Sequence, residues 1–250
     1  MNISVKNLSF SYTSKALIHN LSVEFEGGRR PLVILGPSGS GKTTLLKLLG
    51  GLVKPQRGHI LFSGETINEK SPEAAFMFQE SRLLPWLTVL DNVSLPLKKI
   101  FGFAEAKSRA RHFLSLVSLA EKESSYPDEL SGGQAQRVSM ARAFAWPAPA
   151  LFMDEPFQSL DIPLRVNLMK TCLELLAKEN PAQKSRLLIA VTHDPREAVY
   201  MGGRVIVLGK PGEGIVFDEN VKLESEDRAY GSVAGIELER EIIKHLESKE

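Results

Sequence analysis

Between Gly36 and Thr44 the chain reads GPSGSGKTT, with glycines at 36, 39 and 41 and a lysine and two threonines directly behind them. A glycine, four residues, then Gly-Lys-Thr is a spacing that cradles phosphates. Glycines let the backbone curl until successive amides face an anion, and a helix starting there adds a partial positive charge. Gly36, Pro37, Ser38, Gly39, Ser40, Gly41, Lys42, Thr43 and Thr44 are therefore expected to hold the phosphates of a nucleotide. Lys42 is expected to reach the β and γ phosphates, and the Thr43 hydroxyl to ligate Mg²⁺. Farther along, Asp154 and Glu155 follow the apolar run ALFM. An acid at the end of such a strand, downstream of a phosphate loop, belongs beside the metal. Asp154 is expected to hold Mg²⁺ through water, and Glu155 to polarise the water that attacks the γ phosphorus. The alternative is a pair of surface acids at a strand end.

A second glycine-rich start lies at DELSGGQAQR, Asp128 to Arg137. Ser131 suits a helix cap and Gln134 the capping-box position three residues on. That local reading leaves Gly132 and Gly133 unexplained, since glycine in a helix costs about 1 kcal/mol relative to alanine. Bare backbone there serves a close approach, such as that of a triphosphate.

These residues need a frame. PLVILG is almost wholly apolar, as a strand covered on both faces should be, and leads into the phosphate loop. TTLLKLLGGL reads as a helix ended by Gly50 and Gly51. LSVEFE alternates, with Leu21, Val23 and Phe25 on one face, which predicts an antiparallel strand. ALFM and RLLIAV read as further parallel strands, each followed by a helix. From about Leu90 to Leu130 the pattern turns helical, with AEAKSRARHFLSLVSLA as the clearest stretch, so a helical subdomain is inserted. In VTHDPREA, Asp194 is expected to cap a helix, Pro195 to open it and Glu197 to complete a capping box. GIELEREIIKHLESKE reads as a short amphipathic helix in an acidic tail that packs on the core.

Composition narrows the partners. Lys and Arg total 31 against 30 Asp and Glu, so no electrostatic grip on nucleic acid is expected. The single cysteine, Cys172, precludes an internal disulfide and falls in an apolar helical pattern, which predicts a buried, inert thiol in a reducing compartment. No apolar run approaches the ~20 residues needed to span a bilayer, so any membrane role goes through a partner.

Taken in order, GPSGSGKT, MFQE, LSGGQ, LFMDEP, SLD and VTHD resemble the ATP-binding cassette ATPases over nearly the whole chain. The resemblance implies an α/β fold: a P-loop NTPase core with a parallel sheet, an N-terminal antiparallel β subdomain and an inserted helical subdomain. It divides a single domain into a nucleotide-binding core at about 1–80 and 146–217, a helical subdomain at about 81–145 and a tail at 218–250. In that family two cassettes pack head to tail, each nucleotide lying between the phosphate loop of one and the SGGQ helix of the other. The two glycine-rich starts then belong to different sites. By this resemblance Ser131, Gly132, Gly133 and Gln134 meet ATP bound to the partner cassette. Gln79 corresponds to the glutamine that touches Mg²⁺ and the attacking water, and His193 to the histidine at the γ phosphate. Asp161 corresponds to the aspartate linking the two sites. Tyr12 corresponds to the aromatic that stacks on adenine, with strand packing as its alternative. His19, His59, His112 and His245 match no such position. Gln158 stands where a small residue is expected, and Ala135 where a longer one is common; neither departure is expected to touch the chemistry.

Such a chain is similar to the separate ATPase subunits of bacterial importers. ESRLLPWLTVLDNVSLPL, after Gln79, is similar to the stretch in importers of nitrate, alkanesulfonates and taurine, and thiamine-precursor pyrimidines. The implied partners are a second cassette, a membrane-spanning permease and, indirectly, an extracytoplasmic solute-binding protein, which places the chain on the cytoplasmic face of the membrane. Pro85, Trp86 and Leu87 would then lie beside the permease docking groove, or Trp86 is core. The rival readings are a non-transport cassette of DNA repair or translation, and a force-transmitting module of a membrane complex.

Overall fold

In the computed structural model, residues 2–66, 74–158, 160–178, 186–224, 226–229 and 232–247 are described. Ser159 of the SLD motif and the last three residues of the expected C-terminal helix lie outside them.

Strands β1 (Asn2–Phe10) and β2 (Ile18–Glu26) pair antiparallel, and β2 buries Leu21, Val23 and Phe25 as its alternation dictates. The apolar β3 (Leu32–Leu35) runs through the phosphate-loop sequence into α1 (Lys42–Leu49), which ends at Gly50. β4 (Arg57–Phe62) and β5 (Glu65–Thr66) complete a four-stranded sheet in the order β2-β1-β4-β5. β6 (Ala74–Met77) leads out to the helical subdomain: α2 (Val89–Ser94), α3 (Lys98–Phe101), α4 (Phe103–Leu116) and α5 (Gly132–Ala145). The chain returns as β7 (Ala150–Asp154), α6 (Ile162–Lys178), β8 (Leu187–Val191), α7 (Pro195–Met201), β9 (Arg204–Leu208), β10 (Ile215–Asn220) and α8 (Val233–Glu247). The second sheet has the order β10-β9-β3-β8-β7-β6, with β10 antiparallel at one edge and the rest parallel.

The near-continuous apolar strands follow from that arrangement, because successive side chains of each parallel strand enter different cores. Leu32 and Ile34 of β3 join Phe152, Ile189 and Ile206 against α1 and the antiparallel sheet. Val33 and Leu35 join Leu151, Leu188 and Val207 against the helices on the other face.

Two local expectations are corrected. The helical stretch expected to run to Ala120 ends at Leu116, and Ser118 adopts a left-handed φ of 57°. Glu197 does not complete a capping box: its side chain turns inward and accepts from the Thr192 hydroxyl at 2.5 Å, while Asp194 caps α7 through the Arg196 amide. Cys172 is buried, as expected. The tail packs on the core through Ile242, which is fully buried, and Arg228 anchors it by donating to carbonyls that include those of Val199, Gly202 and Leu223.

Candidate functional site

Register sets the site. Ile34 of β3 pairs with Val191 of β8, Val191 with Asp154 of β7, and Met153 with Met77 of β6. Gly36, Glu155, His193 and Gln79 therefore leave the sheet at one level, at the carboxyl ends of its strands, where α/β sheets bind ligands. Two backbone bonds pin these exits together: Thr192 donates to the Ile34 carbonyl at 3.1 Å and Glu155 to that of Val191 at 2.9 Å. A cleft of about 600 Å³ results, lined by Leu17, Ser38, Gly39, Gly41, Lys42, Thr43, Thr44, Gln79, Glu155, Gln158 and His193.

The phosphate-loop glycines are required by geometry. A β-carbon on Gly36 would lie 2.7 Å from the Leu208 carbonyl, and Gly41 sits at φ 97°, a left-handed value costly for residues with side chains. The loop curls over the Lys42 ammonium, which donates to the carbonyls of Gly36 at 2.8 Å and Pro37 at 3.0 Å. Burial lowers the Lys42 pKa, and the negative charges of Glu155 and Asp154 oppose that shift. Gly41 at the head of α1 offers no side-chain cap, so the first amides of the helix are oriented for an external acceptor. Within the loop the Ser40 hydroxyl oxygen is buried and has no hydrogen-bond partner among the described residues. Curled amides and an ammonium form a donor set that fits a polyphosphate.

At the next strand end, Thr43 Oγ1 donates to Asp154 Oδ1 at 3.0 Å. Burial raises the Asp154 pKa, against the opposing Thr43 hydrogen bond. A hydroxyl and a carboxylate so close together suit a hard divalent cation such as Mg²⁺, which prefers one or two carboxylates plus substrate oxygens. Glu155 follows in a left-handed conformation, φ 47°, unusual for glutamate and of the kind held at functional sites. That turn directs its carboxylate to His193, whose Nδ1 lies 3.1 Å from Oε2. The contact suits a tautomer in which Nδ1 donates to the carboxylate.

Gln79 Nε2 donates to Gln158 Oε1 at 2.6 Å, and both residues line the cleft. Gln158, expected to stand apart from the chemistry, thus has a side chain long enough to reach Gln79 within the cleft. The Gln79 loop is also tied to α5, because Arg142 donates to the carbonyls of Ser81 and Arg82.

Other expected residues stay outside this cleft. Ser131 caps α5 and exchanges the expected capping-box bonds with Gln134. A β-carbon on Gly133 would come 3.1 Å from Leu160, whereas one on Gly132 would meet nothing within 4 Å among the described residues, whose packing therefore does not require Gly132. Asp161 accepts from the Leu164 amide at the start of α6. Tyr12 is 63% exposed, touching Phe10 edge-on, so it is not packed into the core. Leu17 and Arg165 escaped sequence reasoning. Arg165 donates to the Leu160 carbonyl, next to Asp161, and to Asp194, next to His193, so it bridges the two loops. The sole sequence cue is its place one turn into α6.

Trp86 is 70% exposed, which removes the core alternative. Buried Asn92 presents it by bonding to Leu84, Leu87 and Thr88 backbone groups on both sides of the tryptophan.

Residues 18–158 match the family model described as ABC transporter, more than half of the chain. The chain is 37% identical over 218 residues to the aliphatic sulfonates import ATP-binding protein of Bacillus thuringiensis subsp. konkukian, covering 85% of this chain and 84% of that one. It is 39% identical over 215 residues to the aliphatic sulfonates import ATP-binding protein of Zymomonas mobilis, covering 86% and 85%. Its fold is similar to a dimeric ATP-binding cassette solved in a post-hydrolysis state with ADP and Pi, with a TM-score of 0.76, 30% identity, and coverage of 89% of this chain and all of that one.

Proposed function

Since the chain belongs to the ABC transporter family of ATP-binding cassette ATPases, we propose that it is the ATP-hydrolysing subunit of an importer for small organic anions of the aliphatic sulfonate class. The observation that carries the catalytic part is the convergence at one sheet edge of Lys42, the Thr43–Asp154 pair and the Glu155–His193 pair. The relatives' names support the solute class.

In the proposed cycle, the amides of the Gly36–Thr44 loop and Lys42 bind the phosphates of ATP and hold them in line with the attacking water. Thr43 and Asp154 would hold Mg²⁺, with the Gln79 amide placed to meet the ion and the attacking water. A divalent cation held there would supply charge neutralisation to the phosphates as they react. Glu155 accepts the proton of the attacking water; His193, kept in place by Glu155, contacts the γ phosphate. Tyr12, exposed two residues beyond the end of β1, stacks on adenine. Ser131, Gly132, Gly133 and Gln134 close over the nucleotide of a second copy, and Asp161 links the two sites. Hydrolysis separates the copies and drives a separate membrane-spanning permease, to which the chain attaches at the cytoplasmic face near Trp86. An extracytoplasmic binding protein delivers the solute.

The test is purification of the tagged chain from detergent-solubilised host membranes, followed by reconstitution. Co-purification of a multi-span permease, with ATP hydrolysis stimulated by a sulfonate and its binding protein, is the expected result. A complex whose hydrolysis ignores small anions would overturn the importer reading and leave the nucleotide chemistry standing.

A further inference from the structure

Gln158 lies in the turn that follows β7, and its amide donates to the Glu155 carbonyl, so the turn carrying Glu155 also carries Gln158 over the cleft. Gln79 arrives from a different strand end, after β6. Their side chains meet at 2.6 Å, Gln79 Nε2 donating to Gln158 Oε1. A primary amide has two N–H donors on one side and a carbonyl acceptor on the other, and little energy separates its two flips in solvent. With one N–H bonded to Gln158, the Gln79 amide is held with its carbonyl oxygen free for the cleft, the atom able to ligate a cation or accept a hydrogen bond from water. An exposed glutamine also samples several rotamers, and this contact selects one of them before nucleotide arrives.

We infer that Gln158 is a positioning residue that sets the amide orientation of Gln79, and so the alignment of the attacking water. The inference rests on the proposed role of Gln79. A small residue, which the family resemblance leads one to expect at 158, has no acceptor that reaches Gln79.

The test compares Gln158→Met, which keeps the length and removes the acceptor, with Gln158→Glu, which keeps the acceptor. Two readouts are needed. In the full-length, nucleotide-free chain, the Gln79 side-chain amide resonance is assigned by its loss in Gln79→Ala. It is expected to shift and exchange faster with solvent in Gln158→Met, and to stay near its original position in Gln158→Glu. In the assembled ATPase, Gln158→Met is expected to lower kcat about two- to tenfold, the span of one neutral hydrogen bond, with KM for ATP changed less than about twofold. Introduced into Gln79→Ala, it should lower kcat no further, because a residue acting through another is silent once that other is gone. An unmoved Gln79 resonance in Gln158→Met, or an additive loss in the double variant, would overturn the inference while leaving Gln79 in its role. Wild-type kcat in Gln79→Ala would overturn the role of Gln79 and the inference with it.

Discussion

Replacing Glu155 by glutamine is the cleanest single test of the proposed chemistry, because the structure says what the substitution keeps. Glutamine has the same length, and its Oε1 can accept the same proton from His193 Nδ1 across 3.1 Å. The left-handed backbone at 155 is equally unfavourable to both residues, so folding stability should change by less than about 0.5 kcal/mol. What disappears is basicity toward the attacking water. A positioned general base contributes about 10² to 10⁴ in rate. At 1.36 kcal/mol per decade, the barrier should therefore rise by about 2.7 to 5.4 kcal/mol. Glu155→Ala removes the His193 partner as well and should weaken nucleotide binding, which Glu155→Gln should not. Phosphate release under single-turnover conditions measures the rate, and titration with a fluorescent ATP analogue measures the affinity. Turnover within threefold of wild type in Glu155→Gln would refute the assignment of the base, and equal affinities for the alanine and glutamine variants would refute the structural role given to the His193 contact.

The remaining expectations concern binding, docking and stability. Lys42→Ala removes a charge held at the phosphate loop and should weaken the fluorescent nucleotide about 10- to 100-fold, the equivalent of one charge-assisted hydrogen bond; unchanged affinity would displace Lys42 from the site. Trp86→Ala should leave the unfolding midpoint and nucleotide affinity of the isolated cassette unchanged, since the ring is exposed, and should reduce recovery of the permease in pull-downs; a destabilised cassette would contradict that exposure. Ile242→Ala should lower stability by about 2–5 kcal/mol, seen as a lower denaturant midpoint, because it opens a cavity beneath α8; an unchanged midpoint would mean that the tail is not docked. Burial pushes the Asp194 carboxyl up, but hydrogen bonds from Arg196 and the charges of Arg196 and Arg165 outweigh burial and leave its pKa below the ordinary 3.8. A depressed carboxylate contributes stability that is present above its unfolded value and lost as pH falls through the folded one. Asp194→Asn should therefore lower the thermal midpoint near neutral pH, with the gap to wild type closing below pH 3.8; a gap that persists in acid would assign the loss to packing.

Much of the fold was legible because local rules and tertiary demands agree. The alternation of β2 and the unbroken apolar run of β3 each reported how many faces are covered. Where neighbours competed, local rules failed: Glu197 has the capping-box spacing, but the Thr192 hydroxyl and the Arg165 guanidinium lie on the buried side and draw it inward. The contact of Gln158 with Gln79 was illegible for another reason. The two residues are 79 apart in sequence, and no local pattern reports a contact between two strand ends.

The chain's own residues determined which groups could do chemistry, since glycine spacing, a lysine and strand-end acids carry their properties wherever they lie. Only the tertiary structure decided which of them meet. The parallel register of β3, β8, β7 and β6 puts Gly36, His193, Glu155 and Gln79 at one level of one sheet edge, and leaves Ser131–Gln134 and Asp161 outside the cleft they form. Register is a property of hydrogen-bonded pairs of strands far apart in the chain, and a shift of two residues would preserve every apolar pattern while moving a catalytic group by about 7 Å.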